Sequence, residues 1–411
     1  MTLFEPFAAV PFYPLVFVLF YGAVAYFALA MARHLRVFAT GKPAVLTERP
    51  LDRFAGLVRY AVVQTRMFRD PRAAILHLAI FWGFILLTIE PANIVTGGLI
   101  EVVLSIPFDG AIWTAITWLQ NTVALITLAG VGWALYRRLV SRPRRLSYTR
   151  DALVILGLIG GSVGTFLLAE ILEVAAHGEQ AGAWLSNAVG GWLAGVLDPA
   201  VATTLFGLAW WSHMIVIATF LVYLSNSKHL HIVTAFPNAF FRKLRPRGEL
   251  PAMDLEAEDA TFGVKTLQDL SWKDMLDGFT CTECGRCEQA CPAWTTGKPL
   301  DPKTFIMGVR DMAKEAEHGV PLIPDSASVR ESYGGPALID VAALGKPIVD
   351  NAIPYDAVWD CVTCGACVEA CPVLIEHVDK IVGLRRNLVL EDSRFPAELN
   401  GAFRNLSLIH I

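Results

Sequence analysis

Two cysteine runs carry the clearest chemical signal in the chain: Cys281-Thr-Glu-Cys284-Gly-Arg-Cys287-Glu-Gln-Ala-Cys291-Pro292 and Cys361-Val-Thr-Cys364-Gly-Ala-Cys367-Val-Glu-Ala-Cys371-Pro372. Together they use all 8 cysteines of the 411 residues. Three thiolates two residues apart, on a backbone tightened by Gly285 or Gly365, can wrap three corners of a [4Fe–4S] cubane. The fourth cysteine of this C-x₂-C-x₂-C-x₃-C-P spacing serves the other cluster. The pattern therefore predicts one cluster on Cys281, Cys284, Cys287 and Cys371, and a second on Cys361, Cys364, Cys367 and Cys291. Zinc also starts from C-x₂-C pairs, but a four-ligand site has no use for the duplicated third and fourth cysteines followed by proline. Disulfides would need an oxidising setting, and nothing around these cysteines looks secreted; a reducing compartment is implied.

The elements that position these groups differ sharply between the halves of the chain. Apolar content is 54% and mean hydropathy is +0.48, and the excess lies in the first 225 residues. Five apolar runs are each long enough to cross about 30 Å of hydrocarbon as helix: residues 9–31, 73–99, 112–136, 152–175 and 202–224. The first has no basic residues before it and no small-residue cleavage site, so it reads as an uncleaved anchor. Residues 32–72 carry nine Lys or Arg, and Leu51, Phe54, Leu57, Val58, Ala61 and Val62 recur there at helical spacing, which predicts an amphipathic helix on the inner membrane face. Arg137, Arg138, Arg142, Arg144, Arg145 and Arg150 separate the third and fourth runs, whereas the loops around Phe108 and Trp184 have no Lys or Arg. By the positive-inside rule the N-terminus is outside, and everything after Ser225 is inside.

The fold expected is mainly α: a five-helix transmembrane bundle with its N-terminus out, followed by an α-helical dicluster domain. The domains read from the sequence are residues 1–235 (membrane), 236–271 (basic anchor and linker), 272–395 (cluster) and 396–411 (tail). Arg242, Lys243, Arg245 and Arg247 form the anchor. A helix is predicted over about Pro302–Ala316, with Phe305, Ile306, Val309 and Met312 on one side. The formal charge of −4 and the lack of a basic domain outside the membrane flanks point to no nucleic-acid partner.

Histidine inside an apolar span is a functional signal. His77 lies five residues past Arg72, about 7 Å inside the cytoplasmic edge at 1.5 Å per residue. His213 lies mid-run, and His229 and His231 lie just beyond the fifth run. If that helix continues, five turns put His213 and His231 on one face about 27 Å apart, with His229 opposite. A b heme needs one histidine from each of two facing helices, each oriented through its other ring nitrogen. Depth arithmetic leaves His231 and His213 both open as partners of His77. Glu90, Glu170 and Glu173 sit at outer helix ends as candidate quinone or proton groups, or as interfacial carboxylates reaching water.

Arg72-Ala-Ala-Ile-Leu-His77-Leu-Ala-Ile-Phe-Trp-Gly, and the stretch from Ser212-His213 to Ser227-Lys228-His229-Leu230-His231-Ile232, resemble the cytochrome b subunit of respiratory nitrate reductases. The likeness is closer to the membrane subunit of heterodisulfide reductases. The cysteine half resembles the dicluster ferredoxin segment of the heterodisulfide reductase catalytic subunit and of anaerobic glycerol-3-phosphate dehydrogenase. Halves fused in this order resemble bacterial membrane Fe–S oxidoreductases, including those passing electrons from electron-transferring flavoprotein to menaquinone.

The resemblance implies that His77 and His231 hold the heme nearer the cytoplasm and that His213 matches one ligand of an outer heme. The outer heme's second ligand would fall near Leu87, and neither Leu87 nor Thr88 binds iron, so one b heme is expected, two being the family's number. It implies a multi-pass protein of the inner or plasma membrane with its cluster domain on the cytoplasmic side. Its function would be oxidoreductase electron transfer from a cytoplasmic redox partner such as electron-transferring flavoprotein to menaquinone. A thiol–disulfide reductase subunit of the heterodisulfide type is the alternative, and a membrane scaffold with structural metal sites is the non-enzymatic one. The family continues into cysteine-rich repeats, yet no cysteine follows Cys371. Leu406 to Ile411 resembles translated adapter read-through, so a truncated reading frame lacking the catalytic module is expected.

Overall fold

The computed structural model describes residues 10–89, 92, 110–246, 248–253, 256, 261–317 and 341–409. Glu90 and Arg247 fall outside them. The described chain is mainly helical, and its β-pairing is limited to isolated bridges, Lys42 with Ser271 and Val349 with Ile353. It divides into two compact units, one of residues 1–28 and 67–229, the other of residues 29–66 and 230–411. Residues 29–66 thus group with the cysteine half.

The first unit holds the apolar helices. Four described helices are long and apolar enough to cross a membrane: α1 (Leu15–Phe38), which runs on into the second unit, and the spans Gly110–Ser141, Arg150–His177 and Pro199–Leu224. The second predicted run appears as a helix of 17 residues, Pro71–Leu87, with the rest of that run largely outside the described residues. In the second unit α2 is Pro50–Leu57; the helix at Pro71–Leu87 is α3. Next come α4 (Gly110–Tyr136), α5 (Arg150–His177), α6 (Trp184–Ala194) and α7 (Pro199–Leu224).

Helices α3 and α7 each begin Asp-Pro. Asp70 accepts from the Ala73 amide at 3.2 Å and Asp198 from the Ala200 amide at 2.9 Å, while proline at the first helical position wastes no donor. Gly83 lets α3 approach α4 so closely that an added Cβ would lie 2.0 Å from Thr127 Oγ1. There Thr127 donates to the Ala79 carbonyl and Gln120 to the Leu86 carbonyl. Small residues and interhelical hydrogen bonds are what tie helices together where lipid supplies no hydrophobic drive. Val10, Tyr13 and Val16 pack on Ala169 and Leu172 of α5 and on Phe206, Ala209, Trp210 and Met214 of α7.

In the second unit α8 (His231–Phe240) precedes α9 (Trp272–Thr280), α10 (Arg286–Ala290), α11 (Pro302–Glu317), α12 (Tyr355–Trp359), α13 (Ala366–Ala370), α14 (His377–Leu390) and α15 (Leu399–Ile409). A capping box formed by Ser271 and Asp274 starts α9. On α11, Phe305, Ile306, Val309 and Met312 are buried, as the periodicity predicts. The predicted amphipathic stretch forms α2 and a π turn over Val58–Val62. Leu51 and Phe54 are exposed on it, while Arg53 is 1% exposed. Arg53 donates to the Glu48, Phe240 and Arg242 carbonyls, so it caps the C-terminus of α8, where a cation is favoured.

The fifth apolar helix does not continue to His231. It ends at Leu224, and Ser225-Asn226-Ser227 turns the chain into a 3₁₀ turn at Lys228–Leu230 before α8 begins. The Ser225 and Ser227 hydroxyls bond back to the Val222 and Leu224 carbonyls, and Ser227 Oγ accepts from the His229 amide. These side chains compete with the helical backbone and stop the helix. The relation of His213 and His231 as one face of a continuous helix is therefore corrected.

Candidate iron–sulfur centre

Each cysteine run folds as the same loop followed by the same helix. Glu283 and Thr363 take φ of 54° and 54°, and Gly285 and Gly365 take 69° and 72°. Two left-handed residues in five curl the backbone so that its amides turn inward, a concavity suited to anions. The Thr363 amide donates to Cys361 Sγ at 3.4 Å, and Glu283 does the same to Cys281. Helices α10 and α13 follow, each of five residues, and Cys291 and Cys371 sit at their C-caps with extended backbone.

The sulfurs group across the runs. Cys371 is a charged neighbour of Cys281 and of Cys287, and Cys284 of Cys371. In the other group Cys291 is a charged neighbour of Cys361 and of Cys367, beside Cys364. The last cysteine of each run thus neighbours cysteines of the other run, Cys371 with Cys281, Cys284 and Cys287 and Cys291 with Cys361 and Cys367, and Cys287 also neighbours Cys367 between the two groups. Burial, followed by mutual repulsion of the sulfurs, raises the thiols of Cys281, Cys367 and Cys371 to about 12 and those of Cys361 and Cys287 in the same direction. Such crowded, buried thiols favour the thiolate only around a multivalent cation, and thiolate-bound iron suits the donor set. Each group has two buried cysteines, Cys281 and Cys371 in one and Cys291 and Cys367 in the other, but the second also has an exposed one, Cys364, and Val362 near it is 66% exposed.

Arginines fasten both loops. Arg385 donates to the Val358, Trp359 and Cys361 carbonyls at 2.9, 3.0 and 2.5 Å. Arg66 donates to the Val368 and Cys371 carbonyls at 2.9 and 3.1 Å, and its own carbonyl accepts from Arg286. Arg310 pairs with Glu283 at 2.9 Å. Sequence reasoning missed these roles, since Arg66 reads there only as one positive charge among nine.

Among the histidines, His77 lies in α3 with Phe81 stacked 6.1 Å away, and His231 opens α8. His213 in α7 is buried; its Nδ1 lies 3.1 Å from Thr165 Oγ1, and its Nε2 has no hydrogen-bond partner. A ring with one nitrogen fixed and the other open is the form a metal-ligating imidazole takes. His229 packs on Phe220 at 5.5 Å. Glu170 does not simply reach water: Asn121 Nδ2 donates to its oxygens at 3.1 and 2.8 Å and Ser186 Oγ at 2.8 Å. Glu173 accepts from Gln180.

Comparison with known proteins agrees with the cysteine geometry. Residues 280–375 match the 4Fe-4S dicluster domain family. The chain is 30% identical over 404 residues to the "Probable iron-sulfur-binding oxidoreductase FadF" of Bacillus subtilis, covering 93% of this chain and 56% of that protein. It is 30% identical over 419 residues to the "EtfAB:quinone oxidoreductase" of Syntrophomonas wolfei, covering 97% and 58%. It is 31% identical over 404 residues to the "Probable membrane-anchored ferredoxin" of Chromohalobacter salexigens, covering 93% and 53%. The chain therefore spans little more than half the length of these curated relatives. No solved structure matches it. By name two of these relatives are oxidoreductases, one of them iron–sulfur-binding, and the third is a ferredoxin; the dicluster match with the cysteine motif supports Fe–S clusters here.

Proposed function

We propose that this chain is the wiring of a quinone-linked Fe–S oxidoreductase of the inner or plasma membrane. Electrons would pass from a cytoplasmic redox partner, with electron-transferring flavoprotein the candidate, through two [4Fe–4S] clusters and a b heme to menaquinone. The observation that carries the reading is the exchanged position of Cys291 and Cys371. That exchange supports cluster ligation by Cys281, Cys284, Cys287 and Cys371, and by Cys361, Cys364, Cys367 and Cys291. Bound clusters and heme supply one-electron carriers whose potentials the protein sets. The cysteine loops hold and orient them, and the exposed edge at Cys364 is the face the reading assigns to the donor.

His77 and His231 are the proposed heme ligands, with His213 as the alternative; the open Nε2 of His213 supports its candidacy. Glu170 and Glu173, with Glu90, are the proposed groups holding protons beside the quinone. The name of the Syntrophomonas relative supports quinone and electron-transferring flavoprotein as partners.

An optical and EPR redox titration of detergent-purified protein tests this, with wild type beside His77→Ala, His231→Ala and His213→Ala. Two cluster signals and a low-spin b-type band are expected, and the band should vanish in the variants that remove a ligand. A band that survives all three substitutions, or no heme at all, overturns the heme path and leaves the membrane half an anchor.

A further inference from the structure

A charged group lies buried behind Cys371. Lys273, Asp277 and Lys380 are 0%, 0% and 1% exposed. Asp277 of α9 binds Lys273 Nζ at 2.7 Å through Oδ1 and Lys380 Nζ of α14 at 2.6 Å through Oδ2. Lys380 also meets Asp274 Oδ1 at 3.0 Å and the Glu376 carbonyl at 2.9 Å. Asp277 Oδ2 accepts the Glu376 amide at 3.2 Å, and the adjacent Ile375 amide donates to Cys371 Sγ at 3.4 Å. The carboxylate is thus one peptide unit from a donor to sulfur, and its charge is felt at Cys371. Further out, Lys243 reaches Asp274, Glu376 and Asp379, and Arg245 also pairs with Asp379.

Taking ions out of water is costly, and apolar residues of similar volume often serve a core as well or better. Two buried cations face one buried anion in the innermost group, next to a site whose charge becomes more negative by one on reduction. At short range and low dielectric, fixed charges of this kind act strongly on such a site.

We propose that Lys273, Asp277 and Lys380 tune the reduction potential of the cluster held by Cys371, through their charges and through the Glu376 and Ile375 amides that Asp277 positions. These are positioning residues and touch no reacting atom. The step is [4Fe–4S]²⁺ plus one electron giving [4Fe–4S]⁺; no bond forms or breaks, and the one-electron reductant is the donor of the reading above, or dithionite in the test. The inference rests on the two-cluster reading.

The test is an EPR-monitored redox titration of the whole chain in detergent, comparing wild type, Asp277→Asn and Lys380→Met. Losing the anion should raise one of the two cluster potentials and losing the cation should lower the same one, while the other cluster stays put. A role confined to joining α9 to α14 moves neither potential with the sign of the charge removed. If the innermost variants lose iron, Asp274→Asn and Lys243→Gln on the rim decide, with shifts upward and downward. Unmoved potentials, shifts of one sign for both charge types, or equal movement of both clusters overturn the inference. Absence of both cluster signals from the wild type would instead overturn the two-cluster reading.

Discussion

Replacing single cysteines should reveal which sulfurs share a cluster. Cys371→Ala removes a sulfur that lies with Cys281, Cys284 and Cys287, and Cys291→Ala removes one that lies with Cys361 and Cys367. Two cubanes carry about eight iron atoms per chain, so loss of one cluster should leave about four, with one EPR signal instead of two. Cys371→Ala and Cys284→Ala should abolish the same signal, and Cys291→Ala and Cys364→Ala the other. Iron analysis and EPR after dithionite reduction read both quantities on one sample. If Cys371→Ala abolished the signal lost in Cys364→Ala, each run would hold its own cluster and the exchange would be wrong. Loss of all iron in all four variants would equally refute two separate ligand sets.

Other perturbations follow from the same geometry. Arg385→Met removes three hydrogen bonds to the carbonyls that fasten Cys361; faster chelator loss of the Cys361 cluster than of the Cys371 cluster is expected by absorbance. His377 is 1% exposed, and burial, aided by Lys380, lowers its pKa from 6.5 to about 4. The unfolded chain then binds the extra proton between these values, so stability falls as pH drops from about 6.5 to 4, by about 3 kcal/mol at 1.36 kcal/mol per unit. Denaturant titrations at several pH values should show that dependence reduced in His377→Gln. Gly83→Val drives a side chain into Thr127 and should cost about 1–3 kcal/mol of stability in detergent, part of it recovered when Thr127→Ala is added.

The cluster loops were legible because their chemistry fixes residue type and spacing within a dozen positions. Helix α11 was legible for a related reason: four apolar residues at helical spacing have only one side to bury. The two Asp-Pro helix starts carry equally local information. The end of α7 was also written locally, in Ser225-Asn226-Ser227, three residues that favour turns. The apolar run before them stops at the same place, so only the conditional extension of the helix to His231 fails.

The buried charges were not legible, because their local pattern has an ordinary meaning. Lys273 and Asp277, like Glu376 and Lys380, stand four residues apart, the spacing of a solvated ion pair on an exposed helix face. Only the packing of α9 against a helix a hundred residues later turns those pairs inward and joins them through Asp277. Arg66 is similar: by sequence it is one more cation flanking a membrane span, and by structure its guanidinium binds the carbonyl of Cys371. The cysteine runs can thus be read from spacing, whereas the charges around them depend on long-range contacts. Those charges govern the potential at which the centre works, so two chains with identical cysteine runs can differ in the electrons they accept.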